Sequence, residues 1–307
     1  MHIAAIFNIF VENLLPIFLT AGAGFAFGRI MRPDIKTASR LAFHVFSPCL
    51  IFHTLVRVGV AGSELRQLAL FTFGMAAAMI ALAYLAGKAL HADRRMLATL
   101  IVASVFVNGA NYGLAATKFA FGEEALARAM VYFVFNVFVL YTVGIFIASM
   151  GRLSWRQAMR QMLEVPAFYA LIVAGTVRSA GWQVPIYADR AVTLLSDAAI
   201  PMMLVILGLQ IAEARSWPRH RMAFIGAATF LQLVMAPLAA LLLAHWLGLT
   251  GPARQAAVLQ SSMPTAVITT ILAIEYELDT QMVAGTVILT TLLSPLTITP
   301  LIAYLMA

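Results

Sequence analysis

The chain has 307 residues, of which 62% are hydrophobic and 11% are charged, and its mean hydropathy is +0.92. Soluble domains contain roughly 45–50% apolar and 25% charged residues, so the composition excludes a soluble globular protein and indicates an integral membrane protein. The formal charge of +7 could suit nucleic acid, but basic residues also collect in the cytoplasmic loops of membrane proteins. We therefore expect the lipid bilayer, and no nucleic acid, as a partner.

Apolar runs of about 20 residues recur along the whole chain, and each is long enough to cross a bilayer as a helix. Charged, Gly and Pro clusters separate the runs. The sequence therefore predicts an all-α membrane protein whose ten transmembrane helices lie near residues 8–30, 36–58, 65–90, 96–121, 124–149, 163–182, 190–212, 220–247, 253–276 and 280–305.

The basic residues favour one orientation of these helices. If the amino terminus is outside, thirteen of the 20 Lys and Arg residues fall in inner loops, as the positive-inside rule requires. They are Arg29, Arg32, Lys36, Arg40, Lys88, Arg94, Arg95, Arg152, Arg156, Arg160, Arg215, Arg219 and Arg221. We expect a multi-pass protein of the bacterial inner membrane with both termini in the periplasm.

The two halves of the chain resemble each other. Pro16 in the first helix corresponds to Pro166 in the sixth, and Pro48 in the second corresponds to Pro201 in the seventh. Five helices per half would turn the second half upside down, which gives the inverted repeat typical of secondary transporters. The predicted parts are residues 1–150, a linker at 151–162 that carries Arg152, Arg156 and Arg160 as a cytoplasmic interfacial helix, and residues 163–307.

Two of the helices are interrupted at matching places. The fourth contains the segment from Asn108 to Gly113, and the ninth contains the segment from Ser261 to Thr265. In hydrocarbon an unpaired backbone amide costs several kcal/mol, so such breaks persist only where they are buried in protein or line a cavity. Half-helices beginning near Gly113 and near Pro264 would direct free N–H groups at the centre, which favours a small organic anion such as a carboxylate.

The sequence resembles the auxin efflux carrier family, within the superfamily that includes transporters of bile acids, arsenite and riboflavin. Three segments carry the resemblance: Asn108 to Gly113 followed by Phe121-Gly122, Ser196 to Pro201 followed by Leu207-Gly208, and Met263 to Ala266 followed by Leu289 to Pro300. The resemblance implies ten helices in two inverted halves, with broken fourth and ninth helices that cross at the membrane centre.

The resemblance also implies that the helices form two parts with different functions. Helices one, two, six and seven would form a scaffold that dimerises, and helices three to five and eight to ten would form a transport domain that moves like an elevator. This chain departs from relatives that have proline at both crossings, because its first break contains Gly109 and Gly113 instead. Glycine can open a helix through its permissive dihedral angles.

The candidate substrate-binding residues are those of the two breaks and two isolated polar residues in apolar helices: Asn108, Gly109, Asn111, Gly113, Ser261, Ser262, Pro264, Thr265, Asn136 and Gln232. Each has an alternative role. The two asparagines could satisfy loose backbone, the hydroxyl residues could mediate close helix packing, and Asn136 and Gln232 could bond between helices. Lys118 could attract the anion or extend to the membrane interface.

His44 and Asp197 each precede a proline by four residues in corresponding helices. Proton coupling is one interpretation, since histidine titrates near neutral pH. Local bonding beside the prolines is favoured, because the resemblance places both residues in the scaffold and not at the crossing. Sodium coupling is the least favoured option, because the breaks contain no carboxylate.

The sequence predicts a secondary active or facilitative transporter of small organic anions, such as malonate, malate or auxin-like acids. A membrane-embedded anion sensor and a membrane enzyme are the alternatives. The chain has none of the usual metalloprotease, hydrolase or phosphate-loop motifs, and its single Cys49 excludes an internal disulfide. We expect no metal and no cofactor, and a homodimer formed through the scaffold helices.

Overall fold

Eleven helices make up the part of the chain that the computed structural model describes, residues 3–150, 163–213 and 221–307. They are α1 (Ile3–Ile9, Phe10–Leu14 and Leu15–Met31 in succession), α2 (Ile35–Arg57), α3 (Gly62–Ala89), α4 (Arg94–Val105), α5 (Gly109–Ala148), α6 (Pro166–Ser179), α7 (Ile186–Glu213), α8 (Met222–Trp246), α9 (Gly251–Ser261), α10 (Ile268–Glu275) and α11 (Thr280–Met306). The predicted interfacial linker at 151–162 lies outside the described residues.

Seven of these helices are long and apolar enough to cross a membrane: α1, α2, α3, α5, α7, α8 and α11. The others are shorter. The predicted fourth helix is divided between α4 and the beginning of α5, and the predicted ninth is divided between α9 and α10. The protein is therefore a multi-pass, all-helical membrane protein, and the described residues contain no β-strand beyond one isolated bridge.

Prolines shape three of the long helices. A wide π turn occupies Phe10–Leu14, Ala42–Phe46 and Leu231–Met235, and each turn ends two residues before a proline. Proline has no N–H and its ring clashes with the carbonyl four residues back. A π turn widens the helix at that point and so allows the proline to be accommodated without ending the helix. Pro16, Pro48 and Pro237 are the three prolines concerned.

Aspartates begin three helices. The carboxylates of Asp34, Asp93 and Asp279 accept hydrogen bonds from the backbone N–H groups of Lys36, Met96 and Met282. Such caps satisfy first-turn donors that have no intrahelical partner. The bond from the Thr37 hydroxyl holds the pKa of Asp34, in the loop before α2, below its usual value. Asp279 also forms an ion pair with Arg221, with a distance of 2.8 Å between Oδ2 and Nε.

Helices α1 and α7 pack backbone against backbone. A Cβ atom on Gly24 would lie 2.2 Å from the Val205 carbonyl oxygen, and a Cβ atom on Gly208 would lie 1.9 Å from the Ala21 carbonyl oxygen. Small residues at helix contacts allow this approach in membranes, where the lipid provides no hydrophobic force between helices. The two glycines therefore hold α1 and α7 in one fixed arrangement.

Candidate functional site

The two breaks meet in the interior and pair through their backbones. The Asn108 N–H donates to the Pro264 carbonyl at 2.7 Å, and the Ala266 N–H donates to the Phe106 carbonyl at 2.8 Å. Val107 and Thr265 thus form an antiparallel bridge. Backbone N–H and C=O groups that have lost their helical partners in one break therefore form hydrogen bonds with the other break. This pairing allows non-helical backbone to persist inside a membrane protein. We call the two paired segments, 106–108 and 262–267, the crossing.

The half-helices begin at other residues than the sequence predicts. After the first break, helical structure resumes at Gly109 with the π turn Gly109–Gly113, and not near Gly113. After the second break it resumes at Ile268, and not near Pro264. Proline favours the first turn of a helix, but here the Pro264 carbonyl and the Ala266 N–H are used for the backbone bridge, and this delays the helix by one turn.

Asn108 and Asn111 are buried at the first break. The Asn108 carbonyl accepts from the N–H groups of Tyr112 and Gly113, at 3.3 and 3.0 Å, so its backbone closes the π turn. Its side-chain Nδ2 has no hydrogen-bond partner among the described residues, and neither has the Asn111 Oδ1. The Asn111 Nδ2 donates to Gln210 Oε1 on α7 at 3.5 Å, which is a long hydrogen bond.

The three predicted hydroxyl residues of the second break are also buried, but their protons are used locally. Ser261 and Ser262 donate to carbonyls of their own helix, Ser262 Oγ to Val258 O at 2.7 Å. Thr265 Oγ1 donates to the Ala103 carbonyl on α4 at 2.8 Å, and its N–H donates to Thr290 Oγ1 on α11 at 3.2 Å. This geometry favours a structural role for the three hydroxyls.

Gln232 supports the end of α9. Its Nε2 donates to the carbonyls of Met263 and Ser261, at 2.8 and 3.4 Å. These carbonyls have lost their helical donors at the break, so Gln232 acts as a side-chain cap. Because the nitrogen must face two carbonyl oxygens, the orientation of the amide is determined, and its Oε1 is left without a donor from any described residue.

A cavity of about 10 Å³ adjoins the crossing, and the space is about that of one water molecule. Three predicted residues line it: Asn136, Gln232 and Ser261. Tyr132 and the buried Ser104 add polar groups, and two methionines of α3 complete the apolar side. The structure thus brings Asn136 and Gln232 together beside the crossing, although they are far apart in the sequence.

Gln260 is an interior residue that the sequence analysis missed. Its side chain is fully buried. Its Oε1 would lie 2.8 Å from a Cβ atom added to Gly109 and 2.6 Å from a Cβ atom added to Gly113. Its Nε2 donates to Thr117 Oγ1 at 3.3 Å. A side chain at either glycine would therefore force the Gln260 amide to move. An isolated glutamine in an apolar helix was the available signal, the same signal that selected Gln232.

His44, Asp197 and Lys118 lie away from the crossing. The imidazole of His44 is exposed, and its Nδ1 lies 3.1 Å from the Arg40 carbonyl of the same helix. Asp197 is exposed on α7, about three and a half turns before Gln210. Lys118 Nζ forms an ion pair with Glu123 at 2.9 Å. The structure therefore does not bring these ionisable groups to the predicted site.

Known proteins match this chain over most of its length. The model of a family described as membrane transport protein matches residues 9–152 and 149–302. An uncharacterised transporter of Methanothermobacter thermautotrophicus is 27% identical over 87% of this chain and 88% of its own length. An uncharacterised transporter of Methanocaldococcus jannaschii is 25% identical over 89% of this chain and 90% of its own length.

The family matches span nearly the whole chain, including both segments of the crossing. They confirm the resemblance to the auxin efflux carriers that the motifs around Asn108, Pro201 and Pro264 indicate. The chain belongs to the membrane transport protein family.

Proposed function

We propose that this protein carries small organic anions, such as malonate, malate or auxin-like acids, across the plasma membrane, and that the crossing binds the anion. One observation carries the proposal: the buried Asn108 has an amide donor without a partner among the described residues, at the point where a helix begins. A buried unpaired donor costs about 1–3 kcal/mol, and a carboxylate would satisfy it.

Helix ends add to this donor. Helices α5 and α10 both begin at the crossing, and the first N–H groups of a helix carry a partial positive charge. Asn111 provides a second side-chain amide within the same turn of α5. These groups are neutral, so we expect moderate affinity and release on the other side, as a carrier requires.

We further propose that the chain forms ten transmembrane helices in two inverted repeats. In this arrangement α4 and the part of α5 before Gly122 are the fourth helix, and α9 and α10 are the ninth. Gly122 supports the division, because its dihedral angles (φ 77°, ψ −167°) interrupt the helix there. The two segments of the family match, 9–152 and 149–302, support it as well, since they divide the chain at the same place as the repeats.

The transport mechanism in this proposal is an elevator. Helices α1, α2, α6 and α7 would form a static scaffold and a dimer interface, and α3 to α5 with α8 to α11 would move. The glycine-mediated contact between α1 and α7 supports a rigid scaffold. We do not include proton coupling through His44 and Asp197, because both side chains are exposed away from the crossing.

The test is flux in liposomes with labelled malonate, malate and indole-3-acetate. We expect saturable uptake of at least one of these acids by the wild-type protein. In the Asn111→Ala variant, the KM for the transported acid should rise about tenfold, because a hydrogen bond to a charged group contributes about 1.5–3 kcal/mol. The control is Asn8→Ala, which changes an exposed asparagine of α1 and should leave KM unaltered. No saturable flux of any of the three acids would contradict the proposal and favour a sensor.

A further inference from the structure

The crossing lies level with the later part of α7. Gln210, whose Oε1 accepts from Asn111 Nδ2 at 3.5 Å, is three residues before Glu213, the last described residue of this helix. Pro201 lies nine residues earlier in the same helix. With a rise of 1.5 Å per residue, the contact is about 14 Å beyond Pro201 along the helix axis. The crossing is therefore displaced toward the Glu213 end of α7.

Gln210 is an unusual residue for its position. It is half-buried and follows the buried, apolar run Ile206–Leu209 of α7. A carboxamide in such surroundings is costly unless it has hydrogen-bond partners. Its oxygen accepts the long bond from Asn111, and its Nε2 forms no hydrogen bond with a described residue. Because the oxygen contacts Asn111, the nitrogen of the same amide is close to the candidate anion site.

We propose that Gln210 is a substrate-binding residue that the scaffold contributes on one side of the membrane only. The inference rests on the proposed function, since it needs both an anion at the crossing and a crossing that moves past α7. The anion would replace the long bond between the two amides and accept from Gln210 Nε2 and from the neighbouring asparagines. That exchange costs little, because a hydrogen bond of 3.5 Å is weak.

The one-sided character follows from the geometry. Asn108 and Asn111 travel with the crossing and contact the anion in both end states. Gln210 belongs to a helix that does not move, so displacement of the crossing along α7 separates it from the anion. A contact made in only one of two states biases the affinity of that state alone. Gln210 therefore makes the carrier bind its substrate more tightly from the side of the membrane on which Glu213 lies.

The experiment compares KM for the best of the three labelled acids in right-side-out and inside-out membrane vesicles. Gln210→Leu should raise KM about tenfold in one orientation and leave it nearly unchanged in the other. Asn111→Ala should raise it in both. The matched control is Gln67→Leu, which removes another half-buried glutamine, one that bonds to the Leu247 carbonyl and has no contact with the crossing.

Equal KM increases in both orientations, or no increase in either, would overturn the inference. If Gln210→Leu fails to fold, as judged by its unfolding temperature and elution in detergent, Gln210→Glu keeps the shape and places a negative charge beside the anion. That variant should also raise KM in one orientation only. A wild-type protein that carries none of the acids would overturn the proposed function itself, whereas an active wild type with symmetric variants would overturn only the role of Gln210.

Discussion

Gln260 and the two glycines of the first break form one packing unit. The amide oxygen of Gln260 would lie 2.6 Å from a Cβ atom at Gly113, and the bond from its Nε2 to Thr117 opposes a movement of the amide. A side chain at Gly113 would therefore have to displace this amide.

The Gly113→Ala variant should be destabilised by about 1–3 kcal/mol, because the added methyl group overlaps Gln260 Oε1. The double variant Gly113→Ala, Gln260→Ala should recover part of the loss, since it removes the overlapping amide. Unfolding temperature in detergent is the measurement. Gly226→Ala, in α8, is the control, because a Cβ atom there meets no atom within 4 Å. A double variant less stable than both single variants would contradict this explanation.

Breaks in hydrophobic helices leave a visible mark in the sequence, and the interruptions around Asn108 and Pro264 were therefore predictable. The binding roles of Asn108 and Asn111 stay predictions. What a sequence does not show is which face of a helix points inward. Gln260 directly precedes the second break and Gln210 lies in an unbroken stretch of α7. The sequence does not show that both side chains point toward the first break, as they do in the structure. The local use of the hydroxyls of Ser261, Ser262 and Thr265 was likewise open, since either role suits such residues.

At the scale of helices, α1 and α7 depend on close backbone contact. Gly24→Ala should lower stability by about 1–3 kcal/mol, because the new Cβ atom would lie 2.2 Å from the Val205 carbonyl oxygen and the helices would have to separate. Gly22→Ala is a matched control two residues away on the same helix, where a Cβ atom meets nothing within 4 Å. It should be neutral or slightly stabilising.

The measurement for this pair is thermal unfolding of the purified protein in detergent. Equal unfolding temperatures for Gly24→Ala and Gly22→Ala would show that α1 and α7 do not need their close contact.

Helix boundaries were predictable to within a few residues, as for α11, predicted at 280–305 and found at Thr280–Met306. The start of α10 was not, because the sequence does not show that Ala266 is paired with Phe106 across the crossing.

At the scale of the molecule, the proposed motion requires that contacts between the scaffold and the moving part break in each cycle. The ring of Phe18 on α1 meets the ring of Tyr112 edge to face, with 5.8 Å between their centroids. Replacing both residues with cysteine, in a Cys49→Ser background, should allow a cleavable bifunctional thiol reagent to join α1 to the crossing across the space that the two rings fill. We expect crosslinking to abolish flux and reductive cleavage of the linker to restore it.

Each single-cysteine variant serves as a control for this experiment, because it carries the same side-chain loss without the possibility of a crosslink within one chain. Flux that continues at the wild-type rate in the fully crosslinked protein would exclude movement between these two helices. This result would contradict the elevator mechanism but not the proposed anion site at the crossing.

The paired backbone at the crossing also bears on how such a protein could change its substrate. Two short extended segments joined by hydrogen bonds at Asn108 and Ala266 are stiffer than two separate loops would be. If the crossing binds the anion as proposed, exchange of side chains such as Asn111 or Gln232 would alter the charge and size of the preferred substrate while the backbone keeps its course. A fold of this kind would then acquire a new specificity by point mutation without a change of its backbone.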